Sequence, residues 1–145
     1  QSMEEYNHSF SAENVLIAHN RAYGVNTVSA RLHLNKVTIS DNGMGGIRLE
    51  VPNKPSVITN SLITDNNAFG VLHESSEYGN GPLDTKTTNF FKNAEAIMAD
   101  SFYIKQNLPI LTADPYYVDK DNNDYRIGEQ SVLYGTEIGY KNYSE

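Results

Sequence analysis

Two pairs of carboxylates recur at one spacing in this chain: Asp41 and Asp65 are 24 residues apart, and so are Glu50 and Glu74. If the chain is built from stacked units of that length, each pair meets at roughly 5 Å, the distance between neighbouring strands. Like charges that close repel, and three outcomes are open. They bind a cation such as Ca2+, they hold one proton between them for acid–base work, or they splay into water as an ordinary solvated sheet face. Arg48 is placed to neutralise these carboxylates in a surface ion pair, or to meet a ligand carboxylate with its planar two-pronged donor. His73 falls in the inward phase of the alternation, as a buried structural imidazole or as a general base. Tyr78, in the turn-rich stretch 74–82, offers a ring for stacking on a sugar or for packing within its own loop. The run Asp119-Lys-Asp121-Asn-Asn-Asp124 sets oxygen ligands at alternate positions, as at the start of a Ca2+ loop. It departs from the EF-hand pattern, with Asp124 where Gly is needed and Gln130 where Glu is needed, and a hairpin turn rich in Asp and Asn explains it without metal.

The units that would position these groups are visible as a repeat. Val15-Leu-Ile-Ala-His-Asn20-Arg-Ala-Tyr-Gly24-Val25 recurs as Val37-Thr-Ile-Ser-Asp-Asn42-Gly-Met-Gly-Gly46-Ile47, as Ser61-Leu-Ile-Thr-Asp-Asn66-Asn-Ala-Phe-Gly70-Val71, and more loosely as Asn89-Phe-Phe-Lys-Asn93-Ala-Glu-Ala-Ile97. An apolar residue stands three before each Asn, and Gly-aliphatic four and five after it in the first three copies, with Ala96 nearest that position in the shorter fourth. Intervals of 22, 24 and 27 residues between the Asn positions have the length of one solenoid coil. Alternating β-branched residues place Val15, Ile17, Val37, Ile39 and Ile63 on one inward face, and Val25, Ile47 and Val71 on another. Asn20, Asn42, Asn66 and Asn93 then stack as a ladder of amides, each donating to the next, and Gly24, Gly46 and Gly70 supply backbone freedom to the adjoining turn. A leucine-rich repeat also carries an Asn ladder but needs several Leu per repeat, which this chain lacks.

Residues 1–13 read as a lead-in segment or degraded coil, 14–108 as solenoid coils and 109–145 as a capping segment. Within the coils, 94–108 continue the register as strand rather than helix, closed by a turn at Asn107-Leu-Pro109. The tyrosines crowd beyond residue 100, where large half-polar rings suit an end cap over the last coil. No matching cap is evident at the start, so the first coil is expected to stack on earlier coils of a longer parent chain or on another subunit.

These residues resemble the right-handed parallel β-helix, the pectate-lyase-like superfamily. The likeness covers roughly residues 14–100 through the Asn…Gly-(Ile/Val) pattern. A second likeness lies in Asp114-Pro-Tyr-Tyr-Val-Asp119, Asn123-Asp-Tyr-Arg-Ile127 and Ser131, similar to the stretch closing the β-helix in many secreted bacterial proteins, with Val132 where that stretch has Pro. The resemblance implies an all-β fold, a right-handed parallel β-helix of about four to five coils with an irregular Tyr-rich C-terminal cap. It also implies the C-terminal part of a secreted, carbohydrate-active protein, extracellular or on the cell surface. Lyases of this fold use carboxylate-bound Ca2+ and its hydrolases use clustered Asp, which would make Asp41, Asp65, Glu50, Glu74, Arg48 and His73 the catalytic candidates. Glycan contacts would fall on Arg48, Glu50, Glu74 and Tyr78, and a Ca2+ site on Asp119, Asp121 and Asp124. Gly-His-Gly, Asp-Asp and Arg-x-Pro-x-x-Arg motifs of characterised members are missing. A polysaccharide-binding or processing module is therefore weighed against a non-catalytic stalk, adhesin or assembly element.

Composition narrows the partners. With 18 acidic and 11 basic residues the net charge is -7, the wrong sign for binding phosphate backbones or anionic membranes, and no apolar run is long enough to insert in a bilayer. Zero cysteines exclude disulfides, thiolate metal sites and a Cys nucleophile. Two glycosylation triplets start at Asn7 and Asn142.

Overall fold

A computed structural model describes residues 8–99 and 110–141. The expected turn at 107–109 and the residues Asn7 and Asn142 fall outside them. Each coil contributes three strands. The first has β1 (Ser9–Glu13), β2 (Leu16–Ala18) and β3 (Tyr23–Val28), and the second β4 (Arg31–Asn35), β5 (Thr38–Ser40) and β6 (Gly45–Glu50). The third has β7 (Ser56–Thr59), β8 (Leu62–Thr64) and β9 (Phe69–Glu74), and the fourth β10 (Leu83–Asp84), β11 (Asn89–Phe91) and β12 (Glu95–Ala99). Equivalent strands pair in parallel, giving three four-stranded sheets: A (β1-β4-β7-β10), B (β2-β5-β8-β11) and C (β3-β6-β9-β12). The described residues contain no α-helix, and a short 3-10 turn covers Lys120–Asn122. This is a parallel β-solenoid of about four turns. β1 lies inside the stretch read as a lead-in or degraded coil, and pairs along its whole length with β4. The strand expected within 94–108 is present as β12 over its described part.

Register follows the repeat. Ile17, Ile39, Ile63 and Phe90 are in line across sheet B, and Val25, Ile47, Val71 and Ile97 across sheet C. They share one core with Leu32, Leu34 and Ile58 of sheet A. Val15 belongs to the inward set by pattern yet is 37% exposed, because it sits in the first coil, where no described coil covers it.

The ladder forms as expected. Asn20 Nδ2 donates to Asn42 Oδ1 (2.9 Å), Asn42 Nδ2 to Asn66 Oδ1 (2.9 Å) and Asn66 Nδ2 to Asn93 Oδ1 (3.0 Å). Each receiving carbonyl also takes a bond from the backbone N–H of the donating Asn. Buried amides with both ends satisfied are what makes such a polar stack tolerable inside an apolar core.

The glycines act differently from the expectation. Gly24, Gly46 and Gly70 are absent from the positive-φ positions, so they supply no special backbone freedom. What they supply is the missing Cβ: one added at Gly46 would lie 2.5 Å from the Gly70 carbonyl, 3.0 Å from Asn66 Nδ2 and 3.2 Å from Ile63 Cγ2. The left-handed corners fall instead on His19, Asp41, Asp65 and Lys92, with φ between 56° and 61°. Asn, Asp and His tolerate that conformation better than other residues, because short polar side chains relieve the crowding locally.

The Tyr-rich segment lies along a side of the solenoid, where an end cap was expected. Ile110 and Leu111 start a fifth coil, with Leu111 bridged to Asn89. From there the chain doubles back over the outer face of sheet B. Asn89 exchanges two bonds with Ala113, Tyr117 bonds Thr64, Tyr140 takes Thr38 Oγ1, and Lys141 reaches Asn14 in the first coil. The reason is in the strands, since Thr38, Ser40, Leu62, Thr64 and Asn89 point outward from sheet B and are all fully buried. Leu62 packs with Leu133 and Ile138. A buried side chain of this kind stabilises by about 1.5–3 kcal/mol, so the apolar anchors outweigh any single surface ion pair at about 0.2–1 kcal/mol.

Candidate functional site

The four residues just before the ladder Asn form a column along the corner between sheets B and C: His19, Asp41, Asp65 and Lys92. The middle two are one of the carboxylate pairs, and the covering segment meets them. Lys120 Nζ lies 3.0 Å from Asp41 Oδ1 and 3.5 Å from Asp65 Oδ2. Tyr125 Oη donates to Asp41 Oδ2 (2.7 Å) and sits 3.0 Å from His19 Nε2. Ser40 Oγ donates to the same carboxylate and contacts Thr64 Oγ1, which meets Tyr117 Oη at 2.7 Å. Thus the Lys120 ammonium stands between the two aspartates and offsets their repulsion.

The protonation states argue for a clamp. Burial would raise Asp41, but bonds from Tyr125, Lys120 and Ser40, with the Lys120 charge, outweigh it and hold the carboxyl below its usual range. Burial works against the Lys120 ammonium too, and the Asp41 bond and both carboxylate charges overcome it and raise its pKa. Tyr125 is pushed up by burial and by donating to Asp41. Each group moves away from neutrality, opposite to what general acid–base work at neutral pH needs. Of this cluster, sequence reasoning found only the two aspartates. His19 was open to discovery from its place in the repeat, whereas Lys120, Tyr117 and Tyr125 arrive from a segment without register.

The second carboxylate pair is partly exposed. Glu50 and Glu74 are direct partners in the β6–β9 register, on the outer face of sheet C. Arg48 joins them, with Nη2 2.6 Å from Glu50 Oε1 and Nε 2.8 Å from Glu74 Oε1. The guanidinium also stands over the Tyr23 ring, 5.9 Å from its centre, and Tyr23 stacks on Phe69 across Gly45, where a Cβ would strike the Phe69 ring. The Glu74 bond, against a smaller desolvation effect, holds Arg48 above its ordinary pKa. With one cation between two anions, the trio has a residual negative charge and ample hydrogen-bond acceptors.

Tyr78 follows directly on this array and is 84% exposed, so it does not pack within its loop. The loop itself is pinned. Ser76 and Gly79 exchange backbone bonds, Gly81 N donates to Pro52 O, and Val51 N donates to Glu74 O. His73 lies beneath it, fully buried, in register with Leu49, with Nε2 3.0 Å from Gly81 O. Burial, only partly offset by the Gly81 bond, pushes its pKa down, so near neutral pH it is an uncharged prop for the loop.

The Asp119–Asp124 run forms a turn. Asp119 N and Asp124 O are bonded, Asp119 Oδ2 accepts from Asn122, and Asp124 is paired with Arg126 at 2.6 Å. Among the described residues no three His, Asp or Glu side chains gather as a metal site. No protein-family model, curated protein or solved structure matches the chain. Fold and geometry define a class, the parallel β-solenoid with one face covered by its own C-terminal segment.

Proposed function

We propose that the chain is a β-helix module, extracellular or at the cell surface, that binds polysaccharide along the outer face of sheet C, or processes it as part of a larger protein. One observation carries this reading. The Glu50–Arg48–Glu74 array lies in register on a partly exposed sheet face, and a pinned loop presents Tyr78 beside it in sequence. Sugars are held by a ring under their apolar face and by planar charged groups that bond vicinal hydroxyls. Because two carboxylates already occupy Arg48 and the chain carries a net charge of -7, the array favours neutral over acidic polymers.

The test is affinity electrophoresis through neutral and acidic polysaccharides, with polymer length followed by size-exclusion chromatography. Retardation by a neutral polymer, weakened at least tenfold by Tyr78→Ala with Glu74→Gln, supports the proposal. Shortening of the polymer would add catalysis to recognition. Retardation by acidic polymers alone, or by none, would sink it.

A second reading, an assembly element, rests on the first coil. β1, β2 and β3 each have a strand neighbour on one side only among the described residues, and Phe10 and Val15 are over a third exposed there. Such edges pair readily with another chain. Concentration-dependent association in sedimentation, abolished by Phe10→Lys, would favour it.

A further inference from the structure

Among the described residues, most left-handed non-glycine positions belong to the corners, where the coil must turn. Asn123, which ends the 3-10 turn, is an ordinary exception. Tyr116, at φ 45°, is not explained in this way. A bulky aromatic is a poor choice for that conformation, and backbone held so against preference is characteristic of working sites. The surroundings hold it firmly. Asp114 Oδ1 accepts from Tyr116 N (2.8 Å), Ser131 Oγ donates to Asp114 O (2.6 Å), and Gly128 N donates to Pro115 O (3.1 Å). Gly128 lies so close to the Tyr116 carbonyl that no Cβ fits there.

This backbone presents Tyr116, a residue 52% exposed, at the side of an open groove of about 650 Å³, lined by Tyr116, Tyr117, Val118, Gly128, Glu129 and Gln130. Tyr117 is tied to Thr64 and forms part of the floor. Glu129 and Gln130 are exposed, and among the described residues neither has a hydrogen-bond or ion-pair partner. A carboxylate accepts two hydroxyl protons and an amide both donates and accepts, which together match adjacent hydroxyls on a ring. Among the described lining residues only Glu129 is charged, so the groove repels uronates and sulfated sugars.

We propose that this groove is a second carbohydrate subsite, taking one neutral pyranose unit with its apolar face on Tyr116 and its hydroxyls on Glu129 and Gln130. It lies on the segment covering sheet B, shares no residue with the sheet C array, and stands whether or not that array binds sugar. Where both bind, a long polymer engaging the two gains avidity that short sugars lack.

Saturation-transfer NMR on the whole chain with neutral glucan, mannan and galactan hexaoses, and with a galacturonate hexaose, tests this directly. With the sheet C array removed by Tyr78→Ala and Glu74→Gln, at least one neutral hexaose should still receive transfer, cut fivefold or more by adding Tyr116→Gly or Glu129→Gln with Gln130→Ala, but kept on adding Tyr116→Phe. Tyr116→Gly relieves the left-handed backbone, so its Tm should be unchanged or higher while binding is lost, a pattern that a merely structural ring would not give. The proposal is overturned if no neutral hexaose receives transfer, if Tyr116→Gly binds as before, if that variant melts several degrees lower, or if the Tyr78 and Glu74 changes alone abolish the signal.

Discussion

Truncating the ladder at its middle should cost far more than truncating it at its end, although the chemistry removed is the same. Asn66 Oδ1 accepts from both Asn42 N (3.2 Å) and Asn42 Nδ2 (2.9 Å), while its own Nδ2 donates to Asn93 Oδ1 (3.0 Å) and Ile39 O (3.1 Å). Asn42 and Asn66 are each 1% exposed, so water cannot replace what is lost. Asn66→Ala strands two buried donors of Asn42, at about 1–3 kcal/mol each, for a total of about 2–6 kcal/mol. Asn20 is exposed, and its removal leaves Asn42 Oδ1 still bonded to the residue 20 backbone, so Asn20→Ala should cost about 0.5–1.5 kcal/mol. At about 2–4 °C per kcal/mol for a chain of this size, the Tm shifts are roughly 4–24 °C against roughly 1–6 °C. Urea unfolding followed by circular dichroism gives both free energies, provided that m is unchanged. Asn66→Asp sharpens the test, because it keeps the shape but turns an oxygen toward Asn93 Oδ1 and Ile39 O. Those neighbours raise its folded pKa above the unfolded value, so the deficit should shrink as pH falls through the folded pKa and the carboxyl regains a proton to donate. Equal losses for Asn66→Ala and Asn20→Ala, or a loss below about 1 kcal/mol at residue 66, would refute the buried-ladder reasoning.

Gly46→Ala should destabilise by about 1–3 kcal/mol in the same urea assay, because the added methyl has backbone and ladder atoms in its way. Leu133→Ala should cost about 2–5 kcal/mol and Lys120→Met less than about 1 kcal/mol, with limited proteolysis opening residues 113–141 in the first variant only. For pH, the folded pKa of His73 lies below its unfolded value, so the unfolded chain binds the extra proton. Its contribution is therefore intact above about pH 6.5 and is lost as pH falls from there toward the folded pKa, and a His73→Gln chain that still folds should show a flatter stability profile in that window. Asp41 behaves as a depressed acid, with stability present above its ordinary value of 3.8 and lost as pH falls from there through the folded pKa, so the two losses separate on a pH titration of Tm.

The parts of this molecule that repeat were legible in the sequence. A coil must present the same residue type at the same register position, so Asn20, Asn42, Asn66 and Asn93 reveal the stack, and Glu50 facing Glu74 follows from counting. Residue type alone misled at the glycines, since turn freedom and a missing Cβ leave the same letter, and only packing under the ladder separates them. The covering segment was legible as aromatic and irregular but not as to place. Its direction depends on which outer sheet face carries Leu62, Thr38 and Ser40, a tertiary match between elements 50 to 100 residues apart with no period to reveal it. For the same reason the partner of Asp41 and Asp65 could not be read, since Lys120 reaches them from that segment.

The most direct measurement is a two-dimensional NMR titration of the whole chain with the neutral polysaccharide fragment that binds best, following backbone amides and the Arg48 Nε–H. Saturable shifts are expected at Arg48, Glu50, Glu74 and Tyr78, with the ladder amides at rest. Shifts confined to the segment over sheet B, or none at saturating sugar, would contradict the claim that the outer face of sheet C binds polysaccharide.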